Sequence, residues 1–95
     1  MAKTTVKNNE TNIDKLPNDK PVMYKIKTEG GNVNYVGVAQ RGRVQERLKE
    51  HLPDGKDPIP GAKVQIEQVS SIAEARKMET AAIKRIQPKH NEQSK

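Results

Sequence analysis

Apolar and polar positions along the chain fall into blocks of different period, separated by turn-forming residues. Val22, Tyr24 and Ile26 alternate with Met23, Lys25 and Lys27, the two-residue repeat of a strand. Glu29-Gly30-Gly31-Asn32 supplies a turn, and Val33 to Val38 reads as the returning strand of a β-hairpin. Val44, Leu48 and Leu52 then recur at helical spacing until Pro53-Asp54-Gly55 stops the run. The prolines and glycines between Pro53 and Gly61 predict a long exposed loop, and Val64, Ile66 and Val69 a third short strand. Ser71 and Glu74 make an S-x-x-E capping signature. Ile72, Ala75, Ala82, Ile83 and Ile86 follow on one helical face, and Gln87-Pro88 closes that helix. Strand, strand, helix, strand, helix without internal repeats predicts an α/β (α+β) domain over residues 21–91, a three-stranded, mainly antiparallel sheet flanked by helices.

Residues 1–20 carry only Val6, Ile13 and Leu16 as sizeable apolar groups among Asn, Thr, Lys and Asp. So little apolar surface does not offset the entropy of ordering a segment, which predicts a flexible polar tail, with 92–95 a second one.

Composition narrows the function. The 95 residues leave room for one small domain. There is neither a run of about 20 apolar residues to span a membrane nor an apolar stretch after Met1 of the kind a secretory signal needs. The absence of cysteine excludes disulfides, thiolate metal sites and a Cys nucleophile, and fits a reducing, cytoplasmic location. Eighteen Lys and Arg against twelve Asp and Glu give a net charge of +6, which points to an acidic partner, nucleic acid foremost. Residues 41–51 hold four basic and two acidic residues and residues 76–95 six and two, so the positive potential is expected on the two helices.

Glu79 is the most informative single residue, because the helical wheel places it inside the apolar stripe of the last helix. A carboxylate there is costly unless it is paired or bound to a cation. It is either an edge carboxylate in a salt bridge with a nearby Arg or Lys, or a metal ligand or acid–base group at the floor of a cleft. Arg43, Arg47 and His51 form one row along the first helix, which is either a solvated basic face or a groove for a polyanion. Tyr24 and Tyr35, the only aromatic residues, sit on paired strands. Tyr24 shares a face with Val22 and Ile26 and suits the core, yet a buried phenol needs a partner for its hydroxyl. On chemistry alone His90 and Asn91, after Pro88, read as tail residues.

Taken together these residues resemble the GIY-YIG nuclease family. The first signature triplet is represented by Val22-Met23-Tyr24 and the second by Tyr35-Val36-Gly37. The family's Arg-x-x-x-His/Tyr pair matches Arg47 and His51, its helix glutamate Glu79, and its closing Pro-x-x-Asn matches Pro88 to Asn91. The resemblance spans residues 22–91 and implies a metal-dependent endonuclease that hydrolyses DNA phosphodiester bonds with one Mg²⁺ or Mn²⁺. It implies that Tyr35 helps activate the attacking water, Tyr24 orients or assists it, and Arg47 stabilises transition-state charge. It further implies that His51 sits beside the nucleophile or leaving oxygen, Glu79 holds the cation, and Asn91 fixes local geometry. Arg41, Arg43, Lys84 and Lys89 are the expected nucleic-acid contacts. The chain departs from the pattern at Val22, where the family has Gly, and at Val38, where many members carry a polar or basic residue. The alternatives are a catalytically silent nucleic-acid-binding module of the same fold and a generic basic interaction domain that binds protein or RNA.

Overall fold

The computed structural model describes residues 3–88. Its sheet has four strands, β1 (Lys3–Lys7), β2 (Val22–Lys27), β3 (Val33–Ala39) and β4 (Lys63–Gln68), in the order β1-β4-β2-β3 with every pairing antiparallel. Helices α1 (Glu10–Ile13), α2 (Val44–Glu50) and α3 (Ile72–Ile86) complete an α+β fold. Among the described residues no helix is long and apolar enough to cross a membrane.

The alternation of β2 divides its side chains between two cores. Val22, Tyr24 and Ile26 point into the larger one, with Val64 and Ile66 of β4, Val44 and Leu48 of α2, and Ile13 and Leu16. Met23 points the other way, toward Val36 and the Ala82 stripe of α3. Where β3 meets β2, Ile26 faces Tyr35 but Lys27 faces Val33, so Asn34 is an extra residue and the strand bulges. The bulge moves Val33 onto the α3 side, where it packs against the smaller core. The side-chain amide of Asn34 donates from Nδ2 to the Pro60 carbonyl at 2.7 Å.

The tail expected over residues 1–20 is instead built into the fold from Lys3 onward, and the sheet gains a strand. Lys3–Lys7 pair along β4, and the few apolar residues of the segment all find cover: Ile13 and Leu16 are buried and Val6 packs beside them. The polar residues supply the rest of the stabilisation. Arg43, at the start of α2, caps nothing with its side chain, and the Asn18 side chain instead accepts from the Val44 amide at 2.8 Å. Gln45 donates back to the carbonyls of Asp14 and Leu16, and Lys49 pairs with Asp14 at 2.5 Å. The segment is therefore the missing N-terminal cap of α2. The proline loop is likewise less exposed than its composition implies, since Ile59 is buried and its amide donates to the His51 carbonyl at 3.0 Å.

Elsewhere the expected elements form at the expected places. Ser71 caps α3 by accepting from the Glu74 amide at 3.2 Å, and Gln87 ends it in the left-handed conformation with φ of 53°. Removing the buried Ile13 side chain should open a cavity in the larger core. Ile13→Ala is expected to destabilise the protein by about 2–5 kcal/mol in denaturant unfolding, whereas a mobile tail would show no change.

Candidate active site at the edge of the sheet

Because β3 is the last strand in the sheet order, its outer edge is open, with α2 and α3 on either side. A cleft of about 210 Å³ runs there, lined by Val38, Ala39 and Gln40 of the strand and its exit, Arg43 and Arg47 from α2, and Ile72 and Arg76 from α3. Three guanidinium groups thus surround one small depression.

Within electrostatic reach of Arg47 lies a cluster of three rings. Tyr24 stands opposite Gly37 in the β2–β3 register, and its ring lies across that glycine. A Cβ on Gly37 would come within 2.6 Å of the Tyr24 hydroxyl and ring and 2.9 Å of Tyr35, so only glycine admits both phenols. The centroids of Tyr24 and Tyr35 are 6.2 Å apart, Tyr24 and His51 5.7 Å, and Tyr35 and His51 5.0 Å, all tilted. Tyr24 and His51 are buried, and their side chains meet at 2.8 Å between the hydroxyl and Nε2. The other ring nitrogen, Nδ1, lies 2.9 Å from the Asp57 carbonyl. A carbonyl only accepts, so in the neutral ring Nδ1 carries the proton, Nε2 is the acceptor, and Tyr24 donates to it. The proline loop thereby fixes the ring that fixes Tyr24.

Burial is the largest influence on both phenols, and it pushes both hydroxyls above the usual tyrosine range. For Tyr24 the neighbouring Tyr35 adds to this; for Tyr35 the Asp57 carboxylate does. Glu79 raises both phenols and Arg47 lowers both, which puts these two residues within electrostatic reach of the ring cluster from α3 and α2. Arg47 alone does not overcome the burial. Tyr24 is shut off from solvent, so Tyr35, half-buried, is the phenol available to a ligand.

Glu79 is half-buried on α3 and makes no hydrogen bond or ion pair among the described residues. Among the described residues the salt-bridged alternative read from the sequence is therefore not formed. Burial holds its carboxyl above the usual glutamate range, and Arg76, one turn earlier, pulls it part of the way back. An underhydrated carboxylate with no fixed cation is a fitting donor for a hard divalent ion, which takes one or two carboxylates and fills its shell with water and phosphate oxygens. Among the described residues no group of three or more His, Asp or Glu side chains gathers as a ready-made metal cage, so Glu79 would hold such an ion with help from the substrate.

Of the residues expected from the sequence, Tyr24 of β2, Tyr35 of β3 and His51 at the end of α2 are in contact, and Arg47 of α2 and Glu79 of α3 act on the two phenols electrostatically. Arg43 joins Arg47 at the cleft. His51 does not continue the row of Arg43 and Arg47 as a surface cation; it caps α2 from inside the core. Arg41 lines a separate depression with Asp19, Lys20, Pro21 and Ser70, and Lys84 is exposed on α3 away from the residues lining the cleft. Lys89 and Asn91 lie outside the described residues. Sequence reasoning missed Arg76, although its position three residues before Glu79 puts it on the same helical face. It also missed Asp57, whose contribution is a backbone carbonyl that no side-chain motif records.

No protein-family model and no curated protein matches the chain.

Removing one hydroxyl tests the ring cluster. Tyr24→Phe leaves the buried Nε2 of His51 without a donor and is expected to cost about 1–3 kcal/mol. At about 4–8 °C per kcal/mol for a domain of this size, the melting temperature should fall by several degrees or more.

Proposed function

We propose that the protein is a small metal-dependent DNA endonuclease that hydrolyses phosphodiester bonds at the β3-edge cleft, with a site of the GIY-YIG type. The observation that carries this reading is that two phenols lie within electrostatic reach both of Arg47, which lines the cleft, and of Glu79, a carboxylate with no ion pair among the described residues. A soluble cytoplasmic setting fits a chain without cysteine.

The three guanidinium groups lining the cleft suit a phosphodiester and the charge that develops on it. Arg43 is paired with Glu46 at 2.7 Å in a solvent-facing pair, and Arg47 with the half-buried Glu50 at a longer 3.4 Å. An exposed pair such as Arg43–Glu46 is worth about 0–1 kcal/mol, so exchanging it for a phosphate is cheap. Arg47 neutralises the charge gained in the transition state, the electrostatic contribution that dominates this kind of catalysis. Tyr35, protonated at neutral pH, offers its oxygen to a water molecule as a hydrogen-bond acceptor and orients it. Tyr24, held by His51, keeps the Tyr35 ring in place and does not touch solvent. A single Mg²⁺ or Mn²⁺ held by Glu79 would supply Lewis-acid polarisation of the phosphate and stabilise the leaving oxygen.

The second reading is a nucleic-acid-binding module of the same fold without turnover. The raised phenols and the closure of Tyr24 from solvent favour it, since neither ring is a ready base.

Supercoiled plasmid separates the two. The nuclease reading expects nicking with Mg²⁺ or Mn²⁺, none with EDTA, and none in Glu79→Ala, with DNA affinity retained. Retained binding without cleavage in any metal selects the module, and cleavage that survives in Glu79→Ala removes Glu79 from the site.

The carboxylate can also be tested without turnover. Its raised folded pKa means that its contribution to stability is present at low pH and is lost as pH rises through the carboxylate range. Glu79→Gln should therefore melt higher than the wild type at pH 7 by a few degrees, with the difference shrinking toward pH 4. Millimolar Mg²⁺ or Mn²⁺ should raise the wild-type melting temperature and leave the variant unmoved.

A further inference from the structure

The face of the sheet that α3 leaves open carries an unusual arrangement of charge. In the pairing of β1 with β4 and of β4 with β2, Lys7 stands opposite Lys63 and Lys63 opposite Lys27. Directly paired residues share a face, so three lysines form one row across three strands. The next row on that face is Thr5, Gln65 and Lys25, and the one after it joins Lys3 to Glu67. Like charges directly opposite one another are destabilising, and the fold places them there with a single acid close by. Lys3 approaches Glu67 at 3.8 Å, while Lys7, Lys25, Lys27 and Lys63 have no ion pair among the described residues. The electrostatics agree: after partial burial, the ammonium of Lys25 is disfavoured by Lys27, Arg85 and Lys3.

We propose that this lysine face, formed by β1, β4 and β2 with Arg85 of α3 at its border, is a docking surface for the phosphate backbone of duplex DNA. Neighbouring strands lie about 4.8 Å apart, so Lys7 and Lys27 span about 10 Å. A duplex carries one negative charge per about 1.7 Å of axis and offers about six phosphates over that length. The rows hold no apolar side chain outside the part covered by α3, which disfavours a lipid surface, where an amphipathic element buries apolar groups. They hold no aromatic ring, so unpaired bases find nothing to stack on and a paired backbone is the better match. The surface does not depend on the reading of the cleft. Helix α3 contributes Arg76 to one and Arg85 to the other.

The test is the salt dependence of binding to a 20-base-pair duplex, followed by fluorescence anisotropy in the full chain. Lys7→Gln/Lys27→Gln/Lys63→Gln is compared with Lys15→Gln/Lys20→Gln/Lys77→Gln, which removes the same charge elsewhere. Loss of three phosphate contacts should reduce the slope of log K against log salt by about 2.7 and weaken binding tenfold or more at low salt. The control should keep the wild-type slope. Relief of repulsion should leave the row variant at least as heat-stable as the wild type, which excludes misfolding as the cause. An unchanged slope in the row variant overturns the proposal, as does equal loss in both variants, absence of duplex binding by the wild type, or tighter binding to phosphatidylserine vesicles than to the duplex. Reduced slope without any metal-dependent nicking would support this surface and remove the nuclease reading; nicking with an unchanged slope would do the reverse.

Discussion

The placement of the Tyr24 ring across Gly37 sets the geometry on which the site depends. It is possible because position 37 lacks a Cβ, and it brings a phenol from one strand over the backbone of the next. The hydroxyl then reaches the end of α2 through His51, and His51 is held in turn by a carbonyl of the following loop. One buried line of contacts therefore connects β3, β2, α2 and the proline loop. The rings are packed rather than merely adjacent, so a change in any of them is transmitted to the others. Arg47 sits one turn before His51, and its position over the cleft inherits that rigidity.

The electrostatics of the edge are a balance between burial and a few charges. Burial makes the phenols reluctant to ionise and the Glu79 carboxylate reluctant to stay charged. Arg47 opposes this at the phenols and Arg76 at the carboxylate. In the free protein burial prevails over Arg47 at both tyrosines. The two phenols and the Glu79 carboxylate are thus the groups whose protonation would respond to further cationic charge at this edge.

Much of this was legible in the residue pattern, and the parts that were not share a cause. Hairpin, both longer helices and β4 follow from periodicity and turn residues, signals that are local. Glu79 stands out because it breaks an apolar stripe, and among the described residues it has no salt bridge that would make it ordinary. The N-terminal segment was misread because apolar content was taken as the measure of order. Ile13, Leu16 and Val6 are few, but each is placed against the core, and Asn18, Gln45 and the β1 ladder satisfy backbone groups that the rest of the chain leaves open. Pairing of Lys3 with Glu67 is a long-range fact that no window of neighbouring residues contains. The same holds for the lysine row, whose members come from three distant strands, and for the Asp57 carbonyl that orients His51.

Strand β1 has a consequence for the order in which the molecule is assembled. Its pairing partner β4 lies far along the chain, with Lys3 opposite Glu67 and Lys7 opposite Lys63, so it has no sheet to join until β4 has formed. Closing so long a loop is entropically disfavoured before other contacts exist. The strand therefore docks late, onto a hairpin and β4 already in register, and as an edge with only Val6 turned toward the core it is also among the first elements to open. Two of the lysines on the open face arrive with it. The full charge of that face therefore exists only when β1 is paired, so opening of this one strand removes two of its lysines together.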